Sequence, residues 1–139
     1  MQTQFTIPTT GPGLFEFTRD VRRFVQDSGA DQGLLTLFIR HTSASLLIQE
    51  NADPDVQRDL SEFYRRLVPP SDDPSMEWVV HTAEGPDDMP AHIKASMMPV
   101  SLSIPITNGA LVLGTWQGIF LFEHRDAPHN RRVIGHISP

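Results

Sequence analysis

The stretch VSLSIPI (100–106) alternates apolar and polar residues without a break. A period of two places Val100, Leu102, Ile104 and Ile106 on one side of a strand, with the serines and Pro105 on the other. Asn108-Gly109 follows, the pair that suits a two-residue hairpin turn because both positions take positive φ. ALVLG (110–114), QGIFLFEH (117–124) and RRVIGHI (131–137) then read as further strands. Short connections join antiparallel neighbours, whereas parallel ones need a long crossover, so the closing part of this chain is committed to antiparallel sheet. Pro105 has no N–H to give a ladder, so its strand is expected at an edge or a bulge.

The first half supplies helices to cover that sheet. Residues 4–8 and 15–17 read as short strands. Thr18 can cap a helix whose stripe is Val21, Phe24 and Val25, and Ser28-Gly29 stops it. LLTLFIR (34–40) reads as a buried strand with Leu35, Leu37, Ile39 and His41 on one face, and LLIQ (46–49) as its antiparallel neighbour. Asp53 is a good N-cap, Pro54 fits the first helical position, and Asp55 sits where the helix dipole favours an anion. Val56, Leu60, Phe63 and Leu67 then recur at helical spacing until Pro69-Pro70. VPPSDDPS (68–75) is a loop between two halves of one domain, since neither half alone would bury a sufficient core. DDMPAHIKASMM (87–98) reads as a helix with an acidic start. Two or three helices among seven or eight mostly antiparallel strands predict a single compact α+β domain over residues 1–139, a sheet or sandwich with helices against it.

Composition narrows the chemistry. With 139 residues, 39% of them apolar and 20% charged, the chain is long enough for one real core. A net charge of −6 argues against nucleic acid as a partner, though not against a small basic pocket for a phosphorylated metabolite. Without cysteine there is no disulfide, thiolate nucleophile or cysteine-bound zinc. The opening MQTQFTIPTT has neither a basic nor a long apolar region, and no apolar run approaches membrane-spanning length, so a cytoplasmic protein without membrane contact is expected.

Histidine carries the functional signal. His41 closes its strand just before Thr42, Ser43 and Ser45, which reads either as a pocket floor or as a structural histidine beside a turn. His81 and His92 flank TAEGPDDMPA, and with His41 they could form a three-nitrogen metal site with a fourth position open. The spacing also fits three unrelated imidazoles. Glu50, Asn51 and Asp53 could bring carboxylate and amide groups near His41, although capping is the first expectation for Asp53. Glu123 and His124 point to opposite faces of their strand, and Arg125, Arg131 and Arg132 offer cations suited to phosphate or carboxylate. Trp116, between Gly114 and Gly118, is read as core or subunit interface.

Four stretches together resemble one known family: HTSASLLIQENADPDVQRDL (41–60), the segment from His81 that ends GPDDMPAHIK, NGALVLGTWQGIFLFEHR (108–125) and the closing RRVIGHI. They are similar to the YjbQ family, also called the secondary thiamine-phosphate synthase family. The resemblance implies a compact, mostly antiparallel α+β domain, a homotrimer, and sites near subunit contacts. It implies a weak or secondary transferase activity that joins hydroxymethylpyrimidine diphosphate to a thiazole phosphate and releases pyrophosphate. The family's polar positions fall on His41, Glu50, Asn51, Asp53, His81, His92, Gln117, Glu123 and Arg131, while many relatives lack His124. From this come the expected roles. His41, His81 and His92 hold a divalent metal, zinc or magnesium. Thr42, Ser43, Gln117 and Arg131 bind the phosphorylated substrate, and Glu50, Asn51 and Glu123 take part in catalysis or orient a ligand. Asp87 and Asp88 could instead hold magnesium through water. Another metal-dependent enzyme, such as a hydrolase of a phosphorylated metabolite, and a non-catalytic trimer that binds a metabolite or metal are the alternatives.

Overall fold

The computed structural model describes all 139 residues, and the elements alternate early and segregate late. Strands β1 (Gln2–Thr9) and β2 (Gly13–Glu16) precede helix α1 (Thr18–Ser28). Strands β3 (Gly33–Ile39) and β4 (Ala44–Glu50) lead to helix α2 (Pro54–Leu67). One 3-10 turn at Pro74–Met76 interrupts the long loop before helix α3 (Asp88–Met97). Strands β5 (Ser101–Thr107), β6 (Ala110–Leu111), β7 (Gln117–Glu123) and β8 (His129–Ser138) complete the chain. Every pairing is antiparallel, and the strands form a five-stranded sheet ordered β1-β8-β3-β5-β6 and a three-stranded sheet ordered β2-β7-β4.

The two sheets share one core. Leu35, Leu37 and Ile39 of β3, Ile104 and Ile106 of β5, and Val133 and Ile137 of β8 meet Leu46 of β4 and Ile119 and Leu121 of β7, with Val21 and Val25 of α1 alongside. The period of two seen in the sequence is what delivers these residues to one face. Strand β7 is buried from Gly118 to Glu123, because its other face, with Phe120 and Phe122, lies against the helices. Tyr64 of α2 meets Phe122 edge-on at 5.6 Å.

Several local expectations hold for the anticipated reason. The Asp53 carboxylate accepts the Asp55 N–H at 2.9 Å and Pro54 takes the first helical position. Gly29 ends α1 in the left-handed region at φ 69°, and Asn108 and Gly109 take φ 52° and 75° to make the hairpin turn. Pro105, expected at an edge or bulge, instead lies in β5 between β3 and the two-residue edge strand β6. Beyond Leu111 the strand assignment ends, although the Val112 N–H still donates to the Pro105 carbonyl at 2.9 Å.

Other expectations are corrected. Strand β4 does not pair with β3; it pairs with β7 in the other sheet, while β3 lies between β8 and β5. The polar run from His41 to Ser43 is a crossing between sheets rather than a hairpin, so strand β3 stops at Ile39 and His41 lies beyond its end. Thr18 begins α1 but does not cap it. Its hydroxyl donates to Glu16 at 2.7 Å and accepts the Ile119 N–H at 2.8 Å, which ties the helix start to β7. The apolar stripe of α2 is not buried: Phe63 is 55% and Leu67 53% exposed. Trp116 is also exposed and is no part of this chain's core.

Candidate metal centre

Helix α3 brings two anticipated histidines together around a carboxylate. Asp88 starts the helix and is buried, with only 2% of its surface exposed. His92 lies one turn further along the same face. The His81 Nε2 lies 2.8 Å from Asp88 Oδ2, and the His92 Nε2 lies 3.2 Å from Asp88 Oδ1. Ligand atoms from His81, Asp88 and His92 all fall within 4.8 Å of one another. Arg125 closes the far side: its Nη1 donates to Asp88 at 3.0 Å, its Nε to Asp87 at 2.9 Å, and its Nη2 to the Glu84 carbonyl at 3.1 Å. Burial pushes the Asp87 carboxyl up, but the Arg125 and Asp126 hydrogen bonds outweigh it and hold the group below its usual range. With neutral imidazoles, two carboxylates and one guanidinium leave the cluster one negative charge in excess.

The tautomer of His92 gives this geometry its meaning. Its Nδ1 lies 2.8 Å from the Thr42 carbonyl oxygen, an acceptor only, so Nδ1 carries the proton and donates. In the neutral ring Nε2 then holds a lone pair, and that lone pair faces the Asp88 carboxylate at 3.2 Å. Two acceptors face each other unless the ring takes a second proton or a cation sits between them. A backbone carbonyl that fixes Nδ1–H and aims Nε2 is the usual setting of a metal-ligating histidine. Two imidazoles and one carboxylate with open positions suit zinc or another first-row divalent ion better than magnesium, which prefers oxygen donors.

The other anticipated residues are placed elsewhere. His41 stands outside the His81–Asp88–His92 group. Its Nε2 accepts the Arg132 N–H at 2.8 Å, which occupies the lone pair a metal would use. Burial, then the nearby Arg131 charge, lower the His41 pKa. His41 and His92 nevertheless line one cleft of about 310 Å³ together with Thr42. Glu123 is buried, and Arg131 is held by it through Nε at 2.8 Å and by a second, shorter contact through Nη2. The same Nη2 donates to the Ser43 hydroxyl at 3.0 Å. Burial raises the Glu123 pKa, but the Arg131 and Thr9 hydrogen bonds outweigh it and hold the carboxyl ionised below its usual range. Both groups of this pair are therefore engaged with each other inside the protein. The Glu50 carboxylate accepts the Ala52 and Asp53 N–H groups at 3.1 and 3.0 Å. Asn51 donates to Glu16 at 3.0 Å, and the Gln117 side chain accepts the Gly114 N–H at 2.7 Å. These three lie away from the histidine cluster, along the edge where β7 begins. Asp87, a candidate for magnesium, is taken by Arg125.

Asp88 is expected from the sequence as a magnesium holder beside Asp87; that it joins His81 and His92, and that Arg125 grips both carboxylates, is what sequence reasoning does not reach. Asp88 stands four residues before His92, a helical spacing that brings both onto one face, and this was the signal available.

A two-sheet α+β domain with a histidine–carboxylate cluster at the start of its last helix defines the class. Over residues 3–139 the sequence matches the family described as UPF0047 protein YjbQ-like, and the chain belongs to that family. A UPF0047 protein of Synechocystis sp. is 52% identical over 99% of this chain and 90% of its own length. The YjbQ protein of Escherichia coli O157:H7 is 50% identical over 76% of this chain and 73% of its own. Among solved structures, a YjbQ/UPF0047 family protein of Clostridium acetobutylicum superposes with a TM-score of 0.85 at 37% identity, covering 98% of this chain and 99% of that one.

Proposed function

We propose that this protein is a metal-assisted enzyme of phosphorylated metabolites, and that its reaction is the thiamine-phosphate synthase type. In that reaction hydroxymethylpyrimidine diphosphate and a thiazole phosphate are joined with release of pyrophosphate. The observation that carries the reading is the convergence of His81, Asp88 and His92, with the His92 proton held on Nδ1 so that Nε2 faces a carboxylate. A divalent ion held by these three residues would neutralise charge on a diphosphate leaving group. Asp88 holds its position through Arg125, which also restrains Asp87. Thr42 orients His92 through its carbonyl, and the Glu123–Arg131 pair grips Ser43 in the same turn. In this reading Glu123, Arg131 and Ser43 are positioning residues. Hydrolysis of a phosphate ester is the second reading, favoured by the exposure of His81, which leaves the cluster open to water.

The test is metal content after untagged purification, alongside pyrophosphate release from the two thiamine precursors. About one ion per chain is expected. It should be lost in Asp88→Asn, His81→Ala and His92→Ala and kept in His41→Ala. Loss in His41→Ala would bring that residue into the ligand set. Full metal in Asp88→Asn and His92→Ala would remove the site. Turnover of p-nitrophenyl phosphate without pyrophosphate release would select hydrolysis.

A further inference from the structure

Lys94 is the only lysine in the chain; every other basic residue is arginine. It lies on the face of α3 turned away from His92, since two residues of helix turn the side chain by about 200°. There it lines a cavity of about 500 Å³ between α2, α3 and the end of β7. Tyr64, Val68, Pro70, Pro90 and Phe122 give this cavity an apolar wall.

Most charges around it are already matched, and Lys94 is the one lining cation without an ion pair. Arg65 and Arg66 both close on Glu62, at 2.6 and 2.9 Å. Glu123 is held by Arg131, and Asp87 by Arg125. Arg58 is exposed and lies 3.6 Å from Asp59. Lys94 is half-buried, its amine makes no hydrogen bond or ion pair, and it feels Asp126, Arg65 and Asp87 only at longer range. Asp126, exposed, is the one lining carboxylate that no ion pair engages. Beneath the cavity His124 is 3% exposed, with Nε2 3.0 Å from the Ser45 hydroxyl and Nδ1 without a partner.

An unpaired cation beside an apolar wall, in a concavity of small-molecule size, is how a site for an amphiphilic anion is built. We propose that this cavity binds a small molecule with an apolar or ring body and one anionic group, the anion meeting Lys94 and the body lying against Tyr64, Phe122 and Pro90. The site is separate from the histidine cluster, with α3 between them, and it does not depend on a metal.

The experiment uses chelator-treated full-length protein and three probes: phenyl phosphate, benzoate and inorganic phosphate. Because Lys94 is the sole lysine, a lysine-specific 13C label gives one reporter signal in the unmodified chain. Saturable binding of phenyl phosphate or benzoate is expected by calorimetry, with the lysine signal moving along the same curve. Whichever of the two binds more tightly identifies the anion as phosphate or carboxylate. Lys94→Gln should weaken binding at least about tenfold, and Lys94→Arg should recover most of it. The proposal is overturned by any of three results: no saturation by either ring anion at millimolar concentration, equal binding of inorganic phosphate, or a lysine signal that stays still while the probe binds. Chelation separates this test from the metal reading, since loss of metal leaves the cavity intact.

Discussion

At the scale of single residues, His124 titrates far from the ordinary range of a histidine. Burial, then the nearby positive charge of Lys94, push its imidazole down to about 3. An unfolded histidine titrates near 6.5. Between these values the unfolded chain takes up a proton that the folded chain refuses, so stability falls as pH falls through that window, by up to about 1.4 kcal/mol per unit. His41, also lowered by burial, adds loss of the same sign. Asp87 and Glu123, held below the usual carboxylate range, lose their contribution only at lower pH, as their folded pKa values are passed. Urea unfolding of chelated protein at pH 7 and pH 5 should therefore show a loss that is smaller by about 2 kcal/mol in His124→Phe. Equal losses in the two proteins would mean that His124 is not a buried neutral group. The histidine's presence was plain in the sequence, but its burial was not. Burial arises because β7 is covered on both faces, and only the tertiary packing that sets Tyr64 of α2 on Phe122, and Phe122 on His124, decides that.

At the scale of elements, Glu123 and Arg131 couple three separate pieces of chain. Glu123 ends β7, Arg131 lies in β8, and the guanidinium reaches Ser43 in the crossing between β3 and β4. Glu123 has no exposed surface. Arg131→Met should destabilise the fold by about 3–5 kcal/mol, because it leaves a buried carboxylate unpaired. Adding Glu123→Gln should recover much of that loss, since it removes the stranded charge. A double variant no more stable than Arg131→Met would show that the pair's cost lies elsewhere. Sequence reading placed both residues at strand ends and gave them to substrate and catalysis. It could not see that the two sheets bring the opposite charges face to face inside the sandwich, where desolvation favours pairing them with each other.

At the scale of the whole molecule, several large apolar side chains lie in solvent. Phe63 and Leu67 continue the stripe of α2 yet stay largely in solvent, and Trp78 and Trp116 are each 63% exposed. Phe63 and Leu67 lie one turn apart on the exposed face of α2, where a subunit contact could form. The family resemblance implies a homotrimer, and the α2 stripe offers one face on which to test it. Replacing Phe63 and Leu67 together by serine should lower the mass found by sedimentation while leaving each chain folded, since neither side chain supports the protomer's own core. Unchanged mass would place any subunit contact on another face.

The sequence by itself determined the local grammar: the Asp53-Pro54 helix start, the Gly29 stop, the Asn108-Gly109 turn and the inward faces of β3 and β5. These follow from backbone conformations few residues adopt and from periodicities that any packing must respect. It also carried the family, through motifs spread along most of the chain. Tertiary structure alone decided that β4 leaves β3 for the other sheet and that His92 aims its Nε2 at Asp88 while His41 turns to Arg132. It decided too that Arg125 and Arg131, two of the three arginines expected for phosphate, close on carboxylates, and that the one lysine does not. The physical reason is common to all of these. Which polar groups meet depends on the geometry of strands distant in sequence, and a buried charge takes whichever partner the packing brings within reach.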